Sequence, residues 1–89
     1  MKVSENVIHR CVADEDMLVP IGEAAMDMNG LYVLTPTGAE VWDMLAEGKG
    51  IEDIVSIMSE DYGEDPAVIR EDVTAIIEKF KAMGLVTEE

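Results

Sequence analysis

The sequence predicts an α+β domain in which a short β-sheet is followed by three helices. The first third of the chain carries short β-branched runs separated by turn residues, and the remainder carries apolar residues at helical spacing. The 89 residues suffice for one domain, residues 1–89, with one modest core. Two domains of half this length would each bury too little surface to be stable.

Three apolar runs predict the strands. Val7–Val12 is rich in β-branched residues, and 17–21 is a second run whose proline suits a strand edge or end. The dipeptide Asn29-Gly30 is the strongest turn signal, because both residues tolerate the positive φ of a type I′ turn. It predicts a hairpin between 26–28 and 31–34, and the latter is expected to be the last strand before the helices.

Start and stop signals bracket three helices. Thr35-Pro36 and Asp65-Pro66 each combine a capping side chain with a proline at the first helical position. Gly63 and Gly84 are expected to end the second and third helices. After Gly84, residues 85–86 either return as a short strand or pack against the last helical turn. The expected core stripes are Gly38, Val41, Trp42 and Leu45, then Ile51, Ile54, Val55, Met58 and Tyr62, then Ile69, Val73, Ile76, Ile77 and Phe80.

The charge of the chain excludes several partners. Twenty Asp and Glu residues oppose six Lys and Arg residues, so the net charge is -14. Nucleic acid is a polyanion that proteins bind with clustered cations, and this chain would repel it over most of its surface. An anionic membrane surface is disfavoured for the same reason. The charge suits a basic partner surface, or simply a solvated acidic exterior.

The inventory of reactive side chains is too small to indicate catalysis. The only histidine and the only cysteine, His9 and Cys11, share a face of a predicted strand, where a half-buried structural position is the preferred interpretation. We therefore expect no enzymatic activity, no metal site and no cofactor. A single cysteine also argues for a reducing compartment, and no apolar run reaches the length of a signal peptide core or a membrane span. The expected location is the cytoplasm.

Cations on the third helix indicate a docking surface. At 100° per residue, Arg70 and Lys81 lie about 20° apart on one border of the apolar stripe, beside Thr74 and Ile77. Lys79 lies on the other border. Arg70 and Lys81 would suit an acidic peptide, and the alternative is that they form ordinary i±4 pairs with Asp or Glu on the same helix.

The order of several short motifs resembles the PqqD-like proteins, a family also called RiPP recognition elements. The resemblance covers about residues 5 to 87. One departure is Leu34-Thr35-Pro36, where the family usually has Leu-Asn before the first helix. The motifs are Leu18-Val19-Pro20-Ile21-Gly22, Asp27-Met28-Asn29-Gly30, Leu31 to Leu34, Thr35, Thr37-Gly38, Trp42, Tyr62, Asp72-Val73 and Gly84-Leu85-Val86.

The resemblance implies a winged-helix-like domain with an N-terminal three-stranded antiparallel sheet and three α-helices. It also implies that the chain binds the leader segment of a ribosomally made precursor peptide. The leader would be presented to a modifying enzyme, often a radical-SAM enzyme, in natural-product biosynthesis such as that of coenzyme PQQ. In this binding mode the peptide adds a strand to an exposed sheet edge. Carried onto this chain, the edge is Leu31, Tyr32, Val33 and Leu34, and the wall opposite, by our inference, is Arg70, Thr74, Ile77 and Lys81.

Two other functions follow from different observations. A winged-helix fold could belong to a nucleic-acid-binding or regulatory protein. The second helix, however, which is usually the recognition helix that contacts DNA, carries no cation. A catalytic subunit with an unrecognised site is the other alternative, and the residue inventory disfavours it.

Overall fold

The computed structural model describes residues 1–21 and 32–87 of the chain. The predicted order, strands followed by three helices, is confirmed. The expected strand at 26–28 and the Asn29-Gly30 turn lie outside the described residues. The elements are β1 Lys2–Val3, β2 Val7–Val12, β3 Glu15–Pro20, β4 Tyr32–Leu34, α1 Pro36–Ala46, α2 Ile51–Tyr62, α3 Pro66–Ala82 and β5 Val86–Thr87.

The main sheet has three antiparallel strands in the order β2-β3-β4. A two-residue turn at Ala13 and Asp14 joins β2 to β3, and both residues have positive φ, 53° and 65°. Positive φ at both positions is typical of a type I′ turn, whose twist matches that of the flanking strands. This turn was not predicted, because Ala-Asp is not among the dipeptides that favour a type I′ turn.

A two-stranded ribbon joins the ends of the described chain. β1 pairs antiparallel with β5, and the Ser4 amide donates to the Leu85 carbonyl at 2.8 Å. Both outcomes expected for residues 85–86 occur together. Val86 lies in the ribbon, while the Leu85 amide donates to the Phe80 carbonyl at the end of α3.

The helix caps agree with the predictions. The Thr35 hydroxyl accepts a hydrogen bond from the Gly38 amide at 3.0 Å, and the Asp65 carboxylate accepts one from the Ala67 amide at 2.8 Å. Gly63 ends α2 with a φ of 64°, a left-handed conformation that glycine adopts without steric cost. These residues set the boundaries of the helices that carry the core stripes.

The core lies between the inner face of the sheet and the three helices. Phe80 is its centre: its ring makes edge-to-face contacts with Trp42 at 5.3 Å and with Tyr32 at 6.4 Å between centroids. Leu18 of the central strand is fully buried beneath the helices. The predicted stripes are buried, except that Ile51 and Ile76 are only partly buried against the core and Tyr62 is 45% exposed. Tyr32 thus connects β4 to the core through Phe80.

Candidate functional site

The strand β4 lies at one edge of the main sheet, and the register shows which of its backbone groups point outward. At the start of β2, the Ile21 amide donates to the Asn6 carbonyl at 2.7 Å. Opposed residues in an antiparallel ladder alternate between hydrogen-bonded and non-hydrogen-bonded pairs. The next pair, Val7 with Pro20, must then lack ladder hydrogen bonds, which fits a proline that has no N–H.

The same alternation continues across β3 to β4. Leu18 and Asp16 are two and four residues before Pro20, so they also belong to non-hydrogen-bonded pairs with β2. Their amides and carbonyls therefore point away from β2 and toward β4. Their partners there are Tyr32 and Leu34, whose backbone groups are used inside the sheet. Val33, between them, directs its N–H and C=O to the outer edge. Among the described residues no strand pairs with that edge.

A cavity of about 150 Å³ lies between this edge and α3. Its apolar lining residues are Tyr32, Val33, Ile76 and Phe80, and Lys79 contributes a positive charge. The side chain of Val33 is 56% exposed beside it. The residues that line the cavity are Tyr32, Val33, Thr35, Gly38, Ile76, Lys79 and Phe80. We call this cavity, together with the outer edge of β4, the groove.

The predicted residues on the strand differ in their positions. Tyr32 and Val33 line the groove, and Leu34 is buried at 6% exposure with its backbone paired to β3. Leu31 lies outside the described residues. Contact of these residues with a peptide stays a prediction.

The residues predicted for the wall on α3 do not line the cavity, because the cavity faces the other border of the helix. The Arg70 guanidinium forms two hydrogen bonds with the Glu52 carboxylate of α2, and Ile77 is only 1% exposed in the core. Thr74 and Lys81 lie on the Arg70 border and do not line the groove. Arg70 is thus paired within the domain, but with a carboxylate of the neighbouring helix and not with an i±4 partner on its own helix.

The α3 residues that line the cavity without having been predicted there include Ile76 and Lys79. They lie about 160° around α3 from the middle of the Arg70 border, at 100° per residue. Each border of the apolar stripe carries an isoleucine and at least one cation, so no local pattern distinguishes the two borders. The border that faces the groove is determined by the position of β4 against α3, which brings Tyr32 into contact with Phe80.

His9 has a structural role, because its ring connects the main sheet to α1. Its Nε2 lies 2.8 Å from an Asp16 oxygen on β3, and its Nδ1 lies 2.7 Å from an Asp43 oxygen on α1. A carboxylate can only accept, so both bonds form together only when the ring carries two protons. Burial lowers the pKa of His9, but the hydrogen bonds to Asp43 and Asp16 outweigh burial and raise it above its usual value. Cys11 is exposed.

Electrostatics and composition limit the chemistry that the described residues can support. The helix α2 consists of apolar, hydroxyl and acidic side chains, so it cannot contact phosphates with cations. No three His, Cys, Asp or Glu side chains within residues 1–21 and 32–87 are grouped to hold a metal ion. None of the helices in the same part of the chain is long and apolar enough to cross a membrane.

Comparisons with known proteins agree with this architecture. The family model for coenzyme PQQ synthesis protein D (PqqD) matches residues 22–86. A solved structure, "TbiB1 in Complex with the TbiA(beta) Leader Peptide", superposes with a TM-score of 0.82 and 24% sequence identity over 100% of this chain and 98% of that chain. At that identity the likeness shows the fold. No curated protein matches the chain in sequence.

Proposed function

The chain belongs to the family of coenzyme PQQ synthesis protein D, and from this premise we propose that it binds the leader segment of a ribosomally made precursor peptide. The leader adds a strand to the outer edge of β4, and the chain presents it to a modifying enzyme. That enzyme is of the radical-SAM type or another peptide-modifying type. Under this proposal residues 1–89 act as one cytoplasmic peptide-binding domain without catalysis of its own.

The observation that carries the proposal is the outward direction of the Val33 amide and carbonyl. A guest strand that exchanges two hydrogen bonds with Val33 continues the sheet by one strand. Each such hydrogen bond contributes about 0.5–1.5 kcal/mol net. Val33 is thus the single residue of β4 on which both main-chain bonds depend.

The cavity beside Val33 supplies side-chain specificity. It has room for one or a few methyl and methylene groups and is lined by Tyr32, Ile76 and Phe80, so it suits an apolar leader side chain. Lys79 at the same cavity favours an acidic residue close to that apolar one. The preferred leader therefore combines an apolar residue with a neighbouring carboxylate, and Arg70 is already paired with Glu52.

The precursor is identified first, from the genomic neighbourhood, where a short peptide gene beside a radical-SAM gene would supply it. The decisive variant is Val33→Pro, with Val33→Thr as its control. Proline removes the outward N–H but no hydrogen bond of the sheet, and Tyr32 already has the extended conformation that proline requires of its predecessor.

We expect micromolar or tighter binding of the N-terminal part of the precursor by fluorescence anisotropy. Val33→Pro removes the N–H bond and leaves a guest carbonyl without a partner, which weakens binding about fivefold or more, while Val33→Thr stays within about threefold. Lys79→Glu weakens binding and Arg70→Glu, on the opposite border, does not. Equal affinity of the proline and threonine variants contradicts strand addition at this edge.

The nucleic-acid alternative is not favoured, because the charge of -14 and the lack of cations on α2 oppose phosphate contact. A gel-shift assay at low salt distinguishes the two functions. Tight, salt-sensitive binding of DNA would restore the alternative.

A further inference from the structure

A second concavity, separate from the groove, lies between the outer sides of α1 and α2. Its volume is about 320 Å³. Its α1 residues recur at i, i+3, i+4 and i+7, so they form one face of that helix, and its α2 residues are one turn apart. It shares no residue with the groove. We call it the acidic cleft; it is lined by Glu40, Asp43, Met44, Glu47, Lys49, Ile57 and Asp61.

The apolar part of the acidic cleft is accessible to a partner. Ile57 is 36% exposed, and Met44 is only partly buried beside it. A methionine side chain adjusts easily to the shape of a partner. The two helices are held together at this place by a hydrogen bond from the Tyr62 hydroxyl to the Glu40 carboxylate, 2.6 Å long. This hydrogen bond holds α1 against α2, and the side chains of Met44 and Ile57 remain partly accessible to solvent.

The rim of the acidic cleft carries a net negative charge. Four carboxylates line it, against one ammonium group, Lys49, which is paired with Glu47. Protonated His9, behind Asp43, offsets part of this charge. The whole chain carries a charge of -14, so long-range attraction and local contacts favour the same kind of partner. An anionic or neutral segment of a partner would gain no electrostatic attraction at the acidic cleft.

We infer that the acidic cleft docks an amphipathic helix of a partner protein, with leucine-sized apolar side chains flanked by Lys or Arg. A groove between two helices with an apolar floor accepts a third helix in this way. The inference rests on the proposed function, which requires an enzyme to receive the presented peptide, and it places the docking helix on that enzyme. Leader and enzyme then occupy different surfaces, so both can be bound at once.

The test uses a synthetic amphipathic helix of leucine and lysine, about 14 residues long, the length at which such a helix becomes marginally stable in water. The isotope-labelled full chain is titrated with this peptide at about 0.15 M salt, where long-range charge effects are screened. A second peptide carries glutamate in place of every lysine. Backbone amide shifts report where each peptide binds.

Two charge-reversed variants separate the acidic cleft from the general negative charge. Asp61→Lys alters the cleft, and a cation there, in the last turn of α2, also suits the helix dipole. Glu71→Lys makes the same change on the exposed surface of α3, outside the cleft. Ile57→Ser removes the apolar contact without changing the charge.

We expect the lysine peptide to shift amides in the second half of α1 and the second half of α2, and the glutamate peptide to shift none. Asp61→Lys and Ile57→Ser weaken binding at least about fivefold, and Glu71→Lys changes it less than about twofold. Equal weakening by Asp61→Lys and Glu71→Lys, shifts located elsewhere, or no saturable binding overturns the inference. In the same samples Val33→Pro affects leader binding alone, so failure of the acidic cleft and failure of the groove are distinguishable.

Discussion

The pH dependence of stability should depend on His9, the only histidine in the chain. The folded-state pKa of His9 is raised because the Asp43 and Asp16 hydrogen bonds outweigh burial. A histidine with a raised folded-state pKa stabilises the fold fully below its unfolded pKa. That contribution is lost as the pH rises through the folded-state pKa. Stability should therefore fall from mildly acidic to mildly alkaline pH.

The magnitude follows from the exposure of the three side chains. Hydrogen bonds to charged groups contribute about 1.5–3 kcal/mol when well shielded. His9 and Asp16 are 19% and 28% exposed, but Asp43 is 58% exposed, so its bond is weakened by solvent. We expect about 1–2 kcal/mol for the pH-dependent part of both bonds. For a domain of this size that corresponds to about 5–10 °C in melting temperature.

The assay compares thermal unfolding of the parent chain and of His9→Gln at about pH 5.5 and about pH 8.5, values on either side of the usual histidine range. Glutamine keeps a polar side chain but cannot become charged, so the many carboxylates affect both proteins equally. The gap in melting temperature should be large at the lower pH and shrink at the higher one. A difference in melting temperature that is constant, or that widens with pH, would contradict a stabilising role for the hydrogen bonds of His9 to Asp16 and Asp43.

Two stability predictions concern the turn and the core. Ala13→Asn should raise the free energy of unfolding by about 0.5–1 kcal/mol, because asparagine tolerates the positive φ of this turn better than alanine; a lowered urea midpoint would contradict the turn geometry. Phe80→Ala should lower it by about 3–5 kcal/mol, since the ring is 1% exposed and contacts Trp42 and Tyr32. A loss below about 1 kcal/mol in urea unfolding would show that Phe80 is not central to the core.

The helices could be predicted from the sequence because their signals are local and redundant. Thr35 and Asp65 mark the starts by capping, and the apolar stripes repeat over three or more turns. A pattern of that length constrains which face is buried. The two-residue strands β1 and β5 are too short to carry any periodicity, so their pairing could be found only in three dimensions.

The groove could be predicted only in part. The edge strand follows from the family resemblance, and the outward direction of Val33 follows from the ladder that begins at Ile21 and Asn6. The border of α3 that faces the groove depends on how the helix is rotated against β4. Arg70 and Lys79 lie on the two borders of the same apolar stripe, and the structure separates them, because Arg70 pairs with Glu52 and Lys79 lines the cavity beside β4. Which border of α3 faces the groove therefore depends on tertiary contacts, and the local sequence does not determine these.

The most direct test of strand addition is amide hydrogen exchange at Val33 with and without the bound N-terminal segment of the precursor. In the unbound chain the outward Val33 amide should exchange faster than those of Tyr32 and Leu34, which are bonded to β3. We predict that saturating peptide slows exchange at Val33 by about tenfold or more and changes its two neighbours far less. An unchanged Val33 exchange rate in a sample with the peptide bound would contradict the proposed mode of binding.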